Sequence, residues 1–293
     1  PNKDISNLYG IQFFPNLVKL DCDQNNLSSL DVSQNPALKY LYCEQNNLSS
    51  LDVSSNSALK YLHCTQNNLS SLDVSQNPAL EYLLCAQNKL TSLDVSKNGA
   101  LKLLNCKNNQ LTNLNVEYTN IDPSVFLSEL LAQDNTYPIT VGSDRTFNLS
   151  ALPGKFEVSK ASGWVGGTVS GSTLTVDENA TEVTYTYDCG KGCNTTFTLN
   201  VKVAPDGSIG INASNFPDPN FRAYVKAKFD KNNDNFLSES ERNAVTSIDL
   251  HNGYNGQKLV SLDGIEHEHT TPVDFSRNMR GEPRLWSVIL PRS

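Results

Sequence analysis

The chain has 293 residues, with 23 Lys and Arg against 31 Asp and Glu, a net charge of −8 and a pI near 5.0. At roughly 100–200 residues per domain this length implies two or three domains, and an acidic balance without a basic block excludes a nucleic-acid partner held through its phosphates. No apolar run approaches the ~18 residues of a membrane span, and the opening Pro1-Asn2-Lys3-Asp4 is not a leader, so any export signal or anchor is expected outside this sequence.

Residues 1–16 form a partial leading cap, and a repeat begins at Leu17. Units starting at Leu17, Leu38, Leu59, Leu80 and Leu101 each read L-x-x-L-x-C-x-x-N-x-L-x-x-L-x-V, a period of 21 residues, with Cys22, Cys43, Cys64, Cys85 and Cys106 marking the beat. Such a period specifies a solenoid of stacked coils. The pattern occurs twice per unit, so each coil is expected to carry two strand-like segments, such as Tyr40–Cys43 and Ser50–Val53, giving two parallel sheets. Asn25, Asn46, Asn67, Asn88 and Asn109 stand where a side chain can satisfy turn backbone between coils. Thr119 replaces the second Asn of the earlier coils, as in a terminal coil. One Cys per coil gives no metal-ligand spacing, and five parallel thiols cannot all pair; they fit a narrow core as small hydrophobes.

The phrase Ser-Leu-Asp-Val-Ser recurs almost unchanged, whereas the outward positions of the other segment vary from coil to coil. Lys19, Tyr40, Tyr61, Tyr82 and Leu103 form one column, Asp21, Tyr42, His63, Leu84 and Asn105 the next, and Asp23, Glu44, Thr65, Ala86 and Lys107 a third. The varied face is the candidate ligand-binding surface, with Lys19, Asp21, Tyr40, Tyr42, Glu44, Tyr61, His63 and Tyr82 as its site residues. The competing reading of the tyrosines is that they pack on one another along the sheet. On the uniform face, Asp31, Asp52, Asp73 and Asp94 stack like charges, to be satisfied by the neighbouring serines and solvent or by a cation.

Residues 122–136 carry Val125, Phe126, Leu130 and Leu131 at helical spacing behind Pro123, and predict a helical cap closing the 1–121 solenoid. From 137 to 204 the period becomes two, with short Thr-, Val- and Tyr-rich runs between Gly/Ser turns, predicting a small immunoglobulin-like β-sandwich. Cys189 and Cys193 flank a hairpin tip, either bridged or as free thiols.

Residues 208–266 predict a helical segment around a twelve-residue acidic loop, 230–241, entered by a helix from Phe221 to Phe229. Asp230, Asn232, Asp234, Ser238 and Glu241 occupy positions 1, 3, 5, 9 and 12, the EF-hand spacing, and Phe236 would add its carbonyl oxygen. That cage suits Ca²⁺, as a structural clip. Position six, where Gly makes the sharp turn, is Asn235, which tolerates positive φ. The alternative is a polar turn in which Ser238 caps the helix that Glu241 joins. Residues 267–293 are an irregular tail without an L-x-x-L-x-C unit, so the chain is expected to start partway through one module and stop before another.

The coil pattern, with cysteine third and Leu-Asp-Val-Ser closing the turn, resembles bacterial internalin-like surface proteins of the cysteine-ladder type. Ser208 to Glu266 resembles the leader preceding repeat arrays in such proteins. The resemblance implies an exported, cell-surface or secreted solenoid that binds protein or glycan on host or neighbouring cells, often ahead of an immunoglobulin-like domain. No nucleophile-base phrase or placed carboxylate pair is visible, so no catalytic residues are assigned. The leading reading is an adhesion module; the alternatives are a rigid spacer presenting another domain and, more distantly, a glycan hydrolase.

Overall fold

A computed structural model describes residues 4–122, 134–205, 207–213, 215–248 and 250. They belong to two compact units, divided along the chain between residues 202 and 203. The helical cap expected over 122–136 falls mostly outside the described residues, as do the end of the 208–266 segment and the tail.

In the first unit five three-residue strands, β1 (Lys19–Asp21), β2 (Tyr40–Tyr42), β3 (Tyr61–His63), β4 (Tyr82–Leu84) and β5 (Leu103–Asn105), form one parallel sheet in chain order. The register is one coil per strand, Tyr40 beside Tyr61 beside Tyr82 and Tyr42 beside His63 beside Leu84. Alternation follows from the strand: Leu41, Leu62, Leu83 and Leu104 point inward and are buried, with their neighbours outward. The five cysteines lie in the core among the leucines.

The second expected sheet does not form. Among the described residues, Asp31–Asp52 is the single β-bridge between the uniform segments. Each aspartate there bends its own backbone instead: Asp31, Asp52, Asp73 and Asp94 accept the N–H of the serine two residues on, at 2.8–2.9 Å. A turn closed by Val–Asn backbone bonds follows at once, leaving too little extended chain for a ladder.

Asparagine stitches the coils. Asn46 accepts the buried Leu27 N–H at 2.9 Å and donates to the Cys22, Cys43 and Glu44 carbonyls; Asn67, Asn88 and Asn109 repeat this one coil on. Asn135, off the 21-residue beat, supplies the next rung by accepting Leu111 N–H and donating to the Cys106 carbonyl.

Seven strands follow: β6 (Thr136–Val141), β7 (Thr146–Asn148), β8 (Ala161–Val165), β9 (Gly167–Ser170), β10 (Thr173–Val176), β11 (Glu182–Asp188) and β12 (Asn194–Val203). They make a three-stranded sheet, β7-β10-β9, and a four-stranded sheet, β6-β12-β11-β8. Their inward residues, Tyr185 and Phe197 among the largest, join the solenoid leucines in one continuous core. The hairpin tip between β11 and β12 plugs the last coil. Cys189 carbonyl accepts Val116 N–H at 2.8 Å, Lys191 N–H meets the Glu117 carboxylate at 2.9 Å and Lys191 Nζ donates to the Thr119 carbonyl. Cys189 and Cys193 are both buried free thiols.

In the second unit β13 (Ile209–Gly210) pairs antiparallel with β14 (Phe236–Leu237), and helices α1 (Pro219–Phe229) and α2 (Glu239–Asn243) flank the acidic loop. Helix α1 starts two residues before the expected Phe221, because Asp218 caps the Asn220 and Phe221 N–H groups and Pro219 fits the first turn. Phe216, Phe221, Val225 and Leu237 make this unit's core.

Candidate functional site

The outward face of the five-stranded sheet gathers all eight site residues expected from the sequence. A leucine between each pair of outward positions packs on the core, buried from the second coil on, so the side chains on either side of it are held on a fixed grid, with ~4.8 Å between coils. The tyrosines use that grid once diagonally, Tyr42 to Tyr61, and once straight along a column, Tyr61 to Tyr82. The Tyr42 and Tyr61 rings lie 4.9 Å apart and the Tyr61 and Tyr82 rings 5.6 Å apart, each pair tilted by about 30°. Tyr40 stands outside this stack. Packing and exposure therefore coexist: Tyr40 and Tyr82 keep 38% and 36% of their surface in solvent, while Tyr61 is half-buried between neighbours. Burial, with the carboxylates nearby, pushes the Tyr61 phenol above its usual range, keeping it a neutral hydrogen-bonding group.

Charged groups rim the stack. Lys19 Nζ sits 4.8 Å from the Tyr42 ring centre and 3.7 Å from Asp21 Oδ2. On the far side Glu81 bridges Lys60 and Lys102 at 3.2 and 2.6 Å, an ion-pair column that the sequence reading passed over. The signal was present in the alternating Lys60, Glu81, Lys102 run of the column one position before the strands.

His63 Nε2 is 2.8 Å from Glu44 Oε2, and Asp23 Oδ1 accepts the Glu44 backbone N–H at 2.7 Å. Among the described residues Asp23, Glu44 and His63 bring three potential ligand atoms within 4.8 Å of one another. Burial, then the Glu44 charge, raises the Asp23 carboxyl above the ordinary carboxylate range, although the Glu44 N–H and His63 pull it down. Asp23 was placed in a varied column but not in the site; what joins it to His63 is a diagonal across coils that no single column displays.

The acidic loop adopts the expected turn at position six, where Asn235 has φ 67°. Asp230 accepts the Asp234 and Asn235 N–H groups, and Asp234 accepts that of Phe236. Asn232 both accepts the Asp234 N–H and donates to its carboxylate. Glu241 reaches back across the loop to Lys231 N–H and to Ser238 N–H, while Ser238 caps α2. The capping box given as the alternative is thus formed, by the same Ser238 and Glu241 that a cation would use. Its three carboxylates do not converge as the Asp23 trio does, and burial raises the Asp230 carboxyl.

The cysteines carry no reactive thiolate. Burial raises the Cys22, Cys64 and Cys106 thiols to about 12, and Cys43 and Cys85 well above their ordinary value.

No family model matches the chain, and no curated protein matches it. Among solved structures it is similar to the functional domain of InlJ from Listeria monocytogenes, which is described as including a cysteine ladder. That match is 19% identical and covers 68% of this chain and 65% of the other, with a TM-score of 0.30. A leucine-rich-repeat protein of Leptospira interrogans is 29% identical over 43% of this chain and 34% of its own, with a TM-score of 0.39. InlP of Listeria monocytogenes is 22% identical over 65% of this chain and 67% of its own, with a TM-score of 0.36. The chain spans less than two thirds of the length of the first two.

Proposed function

We propose that this chain is an extracellular binding module of a bacterial surface or secreted protein, and that a protein or glycan docks on the outward face of the five-stranded sheet. The observation that carries this is the contrast between a scaffold repeated coil by coil and outward columns whose residues change along the array, with aromatic rings part-exposed among charges. Aromatic stacks flanked by Lys and Glu suit both sugar faces and peptide side chains. Buried cysteines without thiolate character favour binding over catalysis.

The test is adhesion of the labelled chain to epithelial cells and to a printed glycan array, with Tyr42→Ala and His63→Ala compared after their melting curves match the parent. Loss of binding of at least tenfold supports the reading. Unchanged binding in both variants would transfer support to the spacer reading, which the continuous core through solenoid and seven-stranded unit favours. A screen for sugar release addresses the hydrolase alternative.

The seven-stranded unit, with its three-plus-four division, is read as immunoglobulin-like. The 230–241 loop is read as a Ca²⁺ site in which Asp230, Asn232, Asp234, the Phe236 carbonyl, Ser238 and Glu241 give oxygen ligands. The left-handed Asn235 supports it. Calorimetric titration of calcium into the intact chain, repeated with Asp230→Ala and Glu241→Ala, tests it. Absence of binding at millimolar calcium leaves the loop as a capped turn.

A further inference from the structure

We infer that Asp23, Glu44 and His63 form a binding site for a divalent transition cation of the zinc type, with open coordination positions facing outward among the tyrosines. The three donors come from three successive coils, and nothing about the scaffold demands them. At the equivalent places further along the sheet stand Thr65, Ala86 and Lys107 beside Leu84 and Asn105, which offer no such set.

The geometry is close to what an ion needs. Zinc bonds of about 2.0–2.2 Å in tetrahedral arrangement put ligand atoms roughly 3.3–3.5 Å apart. Here His63 Nε2 and Glu44 Oε2 are 2.8 Å apart and the whole set lies within 4.8 Å. Opening the His63–Glu44 contact by ~0.5 Å and closing the other separations by at most about 1.5 Å is within the reach of side-chain rotation. Asp23 is already oriented by the Glu44 N–H at 2.7 Å, the kind of outer contact that fixes a ligating carboxylate.

The chemistry selects the class of ion. One imidazole with two carboxylates fits zinc and its neighbours, whereas calcium and magnesium favour all-oxygen cages. In the absence of a cation, two carboxylates share a single imidazole in a half-buried notch, leaving a net negative charge whichever state the histidine takes. A divalent ion neutralises it. All three residues are only partly buried, and the Glu44 and His63 side chains keep 22% and 19% of their surface in solvent, so the remaining coordination positions would open to solvent near the Tyr42–Tyr61 ring pair. A carboxylate or imidazole of a docked partner can occupy them, a role that rests on the binding reading above.

The experiment is calorimetric titration of Zn²⁺ into the intact, chelator-treated chain, with Co²⁺ absorption as a second probe of a tetrahedral nitrogen-and-oxygen site. His63→Ala and Glu44→Gln should each weaken one zinc event at least 100-fold and remove the Co²⁺ bands, while Asp230→Ala leaves both unchanged. His251, His267 and His269 also occur in the chain, so the variants, not the stoichiometry, make the assignment. Zinc binding that survives both substitutions, or no zinc binding at 100 μM, overturns the site and leaves the tyrosine face as the binding surface. Cell or glycan adhesion is then measured after chelation and after zinc restoration. Loss and recovery fit the outward-facing role; adhesion indifferent to zinc overturns that role alone.

Discussion

Replacing Asn67 by alanine tests how the coils are joined. Asn67 is buried, accepts the Leu48 N–H at 3.0 Å and donates to the Cys43, Cys64 and Thr65 carbonyls at 3.0, 3.1 and 3.3 Å. Alanine leaves the Leu48 N–H without its acceptor in an apolar core, at about 1–3 kcal/mol, and withdraws a donor shared by carbonyls of two coils, at roughly another 1–2 kcal/mol. Backbone relaxation or an entering water recovers part of this, so about 3 kcal/mol is expected. The assay is urea unfolding together with hydrogen exchange at the Leu48 amide, because a repeat array can lose one interface without unfolding as a whole. Asn47→Ala is the control: its side chain bonds only the exposed Asn26, and under ~0.5 kcal/mol is expected. A cost below about 1 kcal/mol for Asn67→Ala, with Leu48 protection intact, would refute the idea that these asparagines carry the stacking.

Gly190→Ala should destabilise the first unit by about 2–4 kcal/mol, since φ is +88° and the new Cβ would lie 2.5 Å from the Glu117 carboxylate; calorimetric melting reads it. Thiol titration at pH 8 should find no reactive cysteine in the native chain and seven after denaturation; five would mean that Cys189 and Cys193 are bridged. The serine bonds hold the Asp31, Asp52, Asp73 and Asp94 carboxyls below their ordinary range. Their folded-state pKa is depressed, so their contribution is complete above the ordinary value near 4 and is lost as pH falls through the folded values. The double variant Asp52→Asn with Asp73→Asn should therefore lose less Tm between pH 6 and pH 3 than the parent. Gln66 sits at φ 54°, and Gln66→Gly should be stabilising or neutral within about 1 kcal/mol, whereas Gln66→Val should cost more than ~1 kcal/mol.

Much of this architecture is legible because a repeat displays its own constraints. Leu41 and Leu62 face inward for the same reason at the same phase, and Asn46 and Asn67 recur because each coil leaves the same N–H to be met. The second sheet was overestimated because Ser-Leu-Asp-Val-Ser alternates like a strand, while the Asp52 side chain commits its backbone to a turn that alternation does not reveal. Asn135 and the docking of the Cys189 hairpin tip on the last coil escaped for the opposite reason. They serve the last coil from outside the beat, and only tertiary packing delivers them. In the candidate site the columns were readable, but the Asp23–Glu44–His63 diagonal required knowing how far neighbouring coils bring their side chains together.

The rung supplied by Asn135 bears on how such a chain can grow. Because it presents to Leu111 the same carbonyl oxygen that Asn109 presents to Leu90, the seven-stranded unit meets the solenoid as another coil would. Tandem duplication of one 21-residue segment would then create no unfamiliar interface. An in-frame copying error after the fourth coil would lengthen the face and keep the trio intact. A tandem copy of the second coil would instead set two glutamates of the Glu44 type beside His63 and carry Asp23 a full step away, so length and ligand set can be altered separately by which coil is copied.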